Sequence, residues 1–324
     1  MKAYIYGANG AEIADVAKPS PKGAQVLVRV RACGLNRADL GMTKGHMHGS
    51  SGGVGAVLGI EWAGEIAEVG PDAKGLAPGD RVMGSGGAAF AEYTLADYGR
   101  LFRIPGNANM SFADAATLPV ALTTMHNAVV TNGALQPGQT ALIQGASSGV
   151  GLMAMQIAKA KGARLVIGSS TNPARRERLK EFGADLAVDS SDPGWVDQVL
   201  KATDGEGVDL IVDQVSGKVA SQNLKATKIK GRIVNVGRLG GTHADFNFDL
   251  HAARRINYIG VTFRTRSVAE VRDIFNEVRN DIWPAVESRK LQLPIDKVFS
   301  FDDIGKAFER MEANQHLGKI VVTF

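Results

Sequence analysis

A single cysteine, Cys33, stands in a chain of 324 residues. That scarcity excludes an intrachain disulfide and any zinc cluster built on cysteine, and it fits a reducing compartment. No stretch approaches the roughly 18 consecutive apolar residues of a membrane-spanning helix. The opening MKAYIYGANGAEIADV also lacks a continuous apolar segment of leader length. The chain therefore reads as soluble and cytoplasmic, with no membrane partner. Aromatic residues are sparse, with three Trp and five Tyr, and the basic residues are scattered apart from ARRERLK at 174–180. Neither a stacking platform nor a basic face is evident, so a nucleic-acid partner is disfavoured. The net charge of +4 is mild for this length. Internal repeats and low-complexity tracts are missing too.

What the chain has in excess is glycine, 39 residues, about 12% where roughly 7% is usual. Tight turns and close backbone approaches must therefore be frequent. The length suits two domains, each with its own core. Up to about residue 120, short alternating runs bounded by Gly, Pro or Asp (24–35, 64–70, 79–84 and 91–97) predict a small, irregular β unit. The segment 45–59, GHMHGSSGGVGAVLG, is too glycine-rich for a regular element and reads as a loop.

From 121 to 263 the rhythm changes. Six apolar runs rich in Val and Ile, at 140–145, 163–170, 186–190, 208–215, 231–237 and 257–263, alternate with helical patterns at 149–162, 173–183, 193–203 and 221–230. This predicts an α/β domain with a doubly wound parallel sheet. After 264, a helix interrupted late by proline, then strand, helix and strand, continue neither rhythm nor a third domain. They are expected to return to the first unit, which makes domains of 1–120 with 264–324, and of 121–263.

The stretch QTALIQGASSGVG, 139–151, joins a strand to a helix through Gly145, Ala146, Ser147, Ser148, Gly149, Val150 and Gly151. A helix N-terminus exposes unpaired N–H groups and partial positive charge, and small residues let a pyrophosphate come near them. In this context the corner is expected to cradle a dinucleotide. The end of the next strand says which one. NAD sites carry an acid there, whereas this chain has Ser169, Ser170 and Thr171, followed by Arg175 and Arg176. Hydroxyls and guanidinium groups suit a 2′-phosphate, so NADPH is expected.

The order of an irregular β unit, GASSGVG and a closing GKIVV strand resembles the medium-chain dehydrogenase/reductase superfamily nearly end to end. CGLNRADL (33–40), LGIEWAGEIAEVG (58–70), ALTTMHNAV (121–129), VDLIVDQVSG (208–217) and MEANQHLGKIVV (311–322) are similar to its zinc-independent quinone-oxidoreductase branch. The resemblance implies a GroES-like irregular β domain beside a Rossmann domain. In the superfamily's zinc enzymes a cysteine stands near Asn36 and a histidine where Ile60 is. Both ligands are missing here, and His46 and His48 lie in the glycine-rich loop, so no metal is expected.

The resemblance further implies that Asn36 and Thr123 lie near the nicotinamide as catalytic residues. It also implies that Val215, Val236 and Gly237 touch the cofactor, and that Phe263, Arg264 and Arg266 belong to the stretch closing over it. Lys319 stands where relatives keep a base near the pyrophosphate. Relatives often place a tyrosine shortly after N-x-x-D, where this chain has Leu40, Gly41 and Met42. Without a general acid, direct hydride transfer to a quinone is the leading expectation. Reduction of the activated alkene of an enal, enone or enoyl thioester is the alternative. The edge strand NYIGVTF is expected to join a homodimer. A role in another class, as a ζ-crystallin-like or single-strand-binding protein that retains the NADPH site, also stays open.

Overall fold

The computed structural model describes residues 1–106 and 109–324, which cluster into two compact units. The first comprises Met1–Val120 and Phe263–Phe324, the second Ala121–Thr262.

The first unit begins with a hairpin, β1 (Lys2–Gly7) and β2 (Gly10–Asp15), that was not anticipated as separate strands. Its main sheet is built on β3 (Gln25–Gly34) and β4 (Glu61–Val69), with β5 (Arg81–Ser85), β6 (Tyr93–Asp97) and β7 (Leu101–Arg103). The β3–β4 register breaks between Leu27 and Val28 and again between Val30 and Ala32. Such breaks bend a strand and raise its twist, which accounts for the irregular look of this region in sequence.

The second unit carries β8 (Thr140–Gln144), β9 (Leu165–Ser169), β10 (Leu186–Val188), β11 (Val208–Asp213), β12 (Thr227–Asn235) and β13 (Asn257–Gly260). They form one parallel sheet in the order β10-β9-β8-β11-β12-β13. Renumbered within the unit this is 3-2-1-4-5-6, the doubly wound dinucleotide order, whose direction reverses between β8 and β11. The central strands are apolar on both faces because helices cover both; Leu142, Ile211 and Ile233 are fully buried. The helical expectation over 221–230 holds only to Ala226. From Thr227 the chain is already strand β12, where Thr227 and Ile229 are β-branched residues suited to a pleated surface.

The chain then returns to the first unit. Helix Val268–Asp281 opens on a capping box of Ser267 and Glu270, and a short helix starts at Trp283 with Pro284 in its first turn. Strand β14 (Ile295–Ser300), helix Ile304–Glu312 and β15 (Lys319–Thr323) close the chain. β15 pairs antiparallel with the end of β3, so the C-terminus completes the first unit's sheet. Tyr4, Phe90 and Phe308 meet in its core, stacked and edge-on at centroid distances of 5.6 and 5.8 Å.

Candidate functional site

In the second unit, strand β8 ends at Gln144, the chain turns at Gly145, and helix Gly149–Ala160 begins four residues after that glycine. Gly145 has φ +69°, the left-handed region that only glycine enters freely. A Cβ on Gly151 would lie 2.6 Å from the Gly145 carbonyl oxygen and 2.7 Å from the Ala146 Cα, so only glycine lets the helix come this close to the turn. Ser148 caps the helix, its hydroxyl accepting from the Gly151 amide at 3.1 Å. The amides of Ser147, Gly149 and Val150 have no partner among the described residues. They form an anion cradle at a helix N-terminus, and this donor set fits a dinucleotide pyrophosphate.

The floor of this corner is a buried polar chain that sequence reasoning did not single out. Ser169 donates to Gln144 Oε1 at 2.6 Å, Gln144 to Asn223 at 2.9 Å, and Asn223 to Asp213 at 2.9 Å. Asp213 also accepts from the amides of Val215 and Ser216, each at 2.8 Å, and so pins the turn after β11. Burial raises its carboxyl above the ordinary value, against the pull of those three donors. The available signal was a polar residue closing each otherwise apolar strand, Gln144 in TALIQ and Asp213 in VDLIVD.

The network bears on the predicted contacts. Ser169 is fully buried, bonding Gln144 and accepting from the Gly145 amide at 3.0 Å, so it supports the cradle from beneath instead of facing a ligand. Ser170 Oγ and Ser147 Oγ are 3.1 Å apart. Arg176 is held by Asp189 at 2.9 Å and by the Ser170 carbonyl at 2.8 Å. Arg175 follows the Asn172 cap in the next helix, half-buried. Val215, Val236 and Gly237 are half-buried where β11 and β12 end, beside the point where strand order reverses. Thr123 is buried inside helix Pro119–His126 rather than at its cap.

In the first unit, three neighbouring strand ends bring Asn36, Glu61 and Lys319 together. Asn36 follows β3, Glu61 opens β4 and Lys319 opens β15. Lys319 is 5% exposed and Glu61 fully buried; the ammonium lies 2.5 Å from Glu61 Oε2 and donates to Asn36 Oδ1 at 2.9 Å. Asn36 Nδ2 in turn donates to Glu61 at 3.0 Å and to the Gly34 carbonyl at 3.2 Å. Glu61 Oε1 accepts from the Val120 amide at 2.7 Å. Two expectations change here. The Lys319 ammonium is a buried counter-ion, and both amide hydrogens of Asn36 are engaged inside the unit, which leaves it no N–H to offer a substrate.

Asp39 joins the cluster. Fully buried, it accepts from the Asn36 amide at 2.7 Å through one oxygen, while the other has no partner among the described residues. Burial pushes its carboxyl up to about 7, with Glu61 adding to the rise and the Asn36 amide and Lys319 opposing it. A catalytic zinc does not fit these residues: the Asn36 amide is tied to Lys319 and Glu61, Ile60 offers no donor atom, and no group of three ligating side chains stands together among the described residues. Arg264 is exposed, and Arg266 stacks 5.9 Å from the Phe263 ring and pairs with Glu270 at 3.8 Å. No helix among the described residues is long and apolar enough to cross a membrane.

A 3-2-1-4-5-6 parallel sheet headed by a glycine cradle, together with a bent antiparallel β unit, defines a dinucleotide-dependent enzyme class. Comparison with known proteins narrows it. The model described as alcohol dehydrogenase GroES-like domain matches residues 22–106, and that described as zinc-binding dehydrogenase matches 149–278. Quinone oxidoreductase-like protein 2 homolog of Nematostella vectensis is 30% identical over 305 residues, 92% of this chain and 81% of that protein. Erythronolide synthase EryA2 of Saccharopolyspora erythraea is 30% identical over 312 residues, 95% of this chain, which spans only 8% of that protein's length. Among solved structures, CurK enoyl reductase is 26% identical with a TM-score of 0.87, covering 99% of this chain and 98% of that one. The chain belongs to the medium-chain dehydrogenase/reductase superfamily of nicotinamide-dependent oxidoreductases, in its quinone-oxidoreductase branch.

Proposed function

We propose that the chain is an NADPH-dependent reductase that delivers hydride to quinones without a metal. The observation that carries the reading is the glycine corner: unpaired amides at a helix N-terminus, packed by Gly151, at the head of the reversing sheet. Bound there, the nicotinamide supplies a hydride, that is, one proton with two electrons. Ser147, Gly149 and Val150 would hold the pyrophosphate through their amides. Ser170 and Arg175 would meet the 2′-phosphate, since no carboxylate at the end of β9 repels it. A quinone suits the remaining residues because the hydroquinone oxyanion takes its second proton from water. Asn36 has no free N–H to donate, and Leu40, Gly41 and Met42 offer no side-chain proton. The quinone oxidoreductase-like relative supports the same acceptor. The exposed edge strand β13 supports a homodimer formed by sheet extension.

A second reading, reduction of the activated alkene of an enal, enone or enoyl thioester, is favoured by the likeness to CurK enoyl reductase. That reaction requires a proton delivered to carbon. Steady-state kcat/KM with NADPH across a panel of quinones, 2-alkenals and an enoyl thioester separates the two. The proposal expects the quinones to lead by tenfold or more; an alkene preference of that size overturns it.

A further inference from the structure

Away from the two clusters above, the first unit has a solvent-open cavity of about 310 Å³ whose walls are strongly basic. Lys74, Arg103, Arg272 and Arg279 line it, with Tyr98 and Leu76 as its aromatic and apolar surfaces. Two of the four cations are neutralised locally. Arg272 forms a two-pronged pair with Asp97 at 2.8 and 2.6 Å, and Arg103 pairs with Asp80 at 3.0 Å. The other two are not. Lys74 has no carboxylate partner among the described residues. Arg279 bonds only neutral oxygens among the described residues, those of Asn276, Gly99 and Leu101. Among the described residues, Arg100, between Gly99 and Leu101 of the wall, also lacks a carboxylate within ion-pair distance, and its buried Nε has no partner. Burial lowers the pKa of both Arg100 and Arg279, with the Asp97 carboxylate opposing the fall at Arg100.

The guanidinium groups are also held in place. Arg272 stacks on the Tyr98 ring at 4.8 Å and Arg279 on Phe102 at 5.3 Å. Both come from helix Val268–Asp281, seven residues apart; Arg272 reaches Asp97 at the end of β6 and Arg279 the Leu101 carbonyl at the start of β7. Three N–H groups of Arg272 carry no acceptor among the described residues, because only Nε and one Nη2 hydrogen reach Asp97. A site with surplus positive charge, an oriented planar fork on Arg272 and an apolar wall selects a small organic oxyanion. The Nη1–Nη2 edge of Arg272 can grip two oxygens at once, Lys74 and Arg279 add charge, and the Tyr98 ring and Leu76 offer contacts to a carbon body. The volume lies at the small end of ligand pockets, near roughly 300 Å³.

We infer that this cavity is a second ligand site, separate from the glycine cradle, that takes a small organic phosphate or carboxylate between Lys74, Arg272 and Arg279.

Calorimetric titration of the full chain with phenyl phosphate and with citrate tests this, the tighter of the two telling phosphate from carboxylate. Saturable binding is expected, weakened at least threefold both by Lys74→Gln and by Arg279→Lys, which keeps the charge but removes the planar guanidinium held on Phe102. Lys180→Gln, an exposed charge in the other unit, and Arg175→Ala, beside the cradle, are expected to leave it within twofold. Lys74 is exposed, so its variant reports on binding even if Arg279→Lys perturbs folding. Non-saturating heats, equal affinity in wild type and Lys74→Gln, or loss in Arg175→Ala or Lys180→Gln overturns the inference.

Discussion

Asp39→Asn should make the protein relatively more stable as pH rises. The carboxyl is fully buried and its pKa stands at about 7 against an ordinary value of 3.8. Cys33, Asn36, Glu61 and Lys319 surround it, with only the Asn36 amide bonded to it. A folded-state pKa above the unfolded one means that the native protein binds the proton more tightly. Its contribution is therefore complete below pH 3.8 and is lost as pH climbs through about 7. At about 1.4 kcal/mol per pKa unit, the whole loss amounts to about 4 kcal/mol. Asparagine is isosteric, can accept from the Asn36 amide through its carbonyl and cannot ionise. Urea denaturation of both proteins at pH 5 and pH 8 would read the effect. The stability difference, variant minus wild type, should rise by about 2–3 kcal/mol between the two pH values, at unchanged m. A difference that does not vary with pH refutes the argument.

Lys319→Met should cost about 3–5 kcal/mol, because it strands the fully buried Glu61 carboxylate. Glu61→Gln added to it should restore a large part, and a loss under about 1 kcal/mol for the single variant contradicts the pairing. Arg175→Ala should weaken NADPH by about tenfold or more, some 1.4 kcal/mol, and leave NADH within twofold in fluorescence titrations. Equal losses would show that this guanidinium does not read the 2′-phosphate.

Much of the second unit was legible because its signals are local. A strand buried on both faces must be apolar throughout, and a helix that meets a strand through a tight turn must carry glycine at the points of contact, so β8, Gly145 and Gly151 declared themselves. The misjudged helix end at Ala226 has the same origin. SQNLKATKIK is compatible with either period, and pairing of Thr227–Asn235 with β11 and β13 decided the matter.

The amino-acid order by itself was enough to indicate a nicotinamide-dependent oxidoreductase, through a glycine corner set between an apolar strand and a helix at the head of an alternating pattern. Only the tertiary structure decided what the polar residues do. Asn36, Glu61 and Lys319 are separated by 25 and 258 positions, and nothing in a linear pattern says that they share one buried charge network. The same holds for Ser169, whose hydroxyl points into the floor of the cradle. Burial and pairing depend on which strand ends adjoin, and that depends on the sheet order rather than on neighbours in the chain.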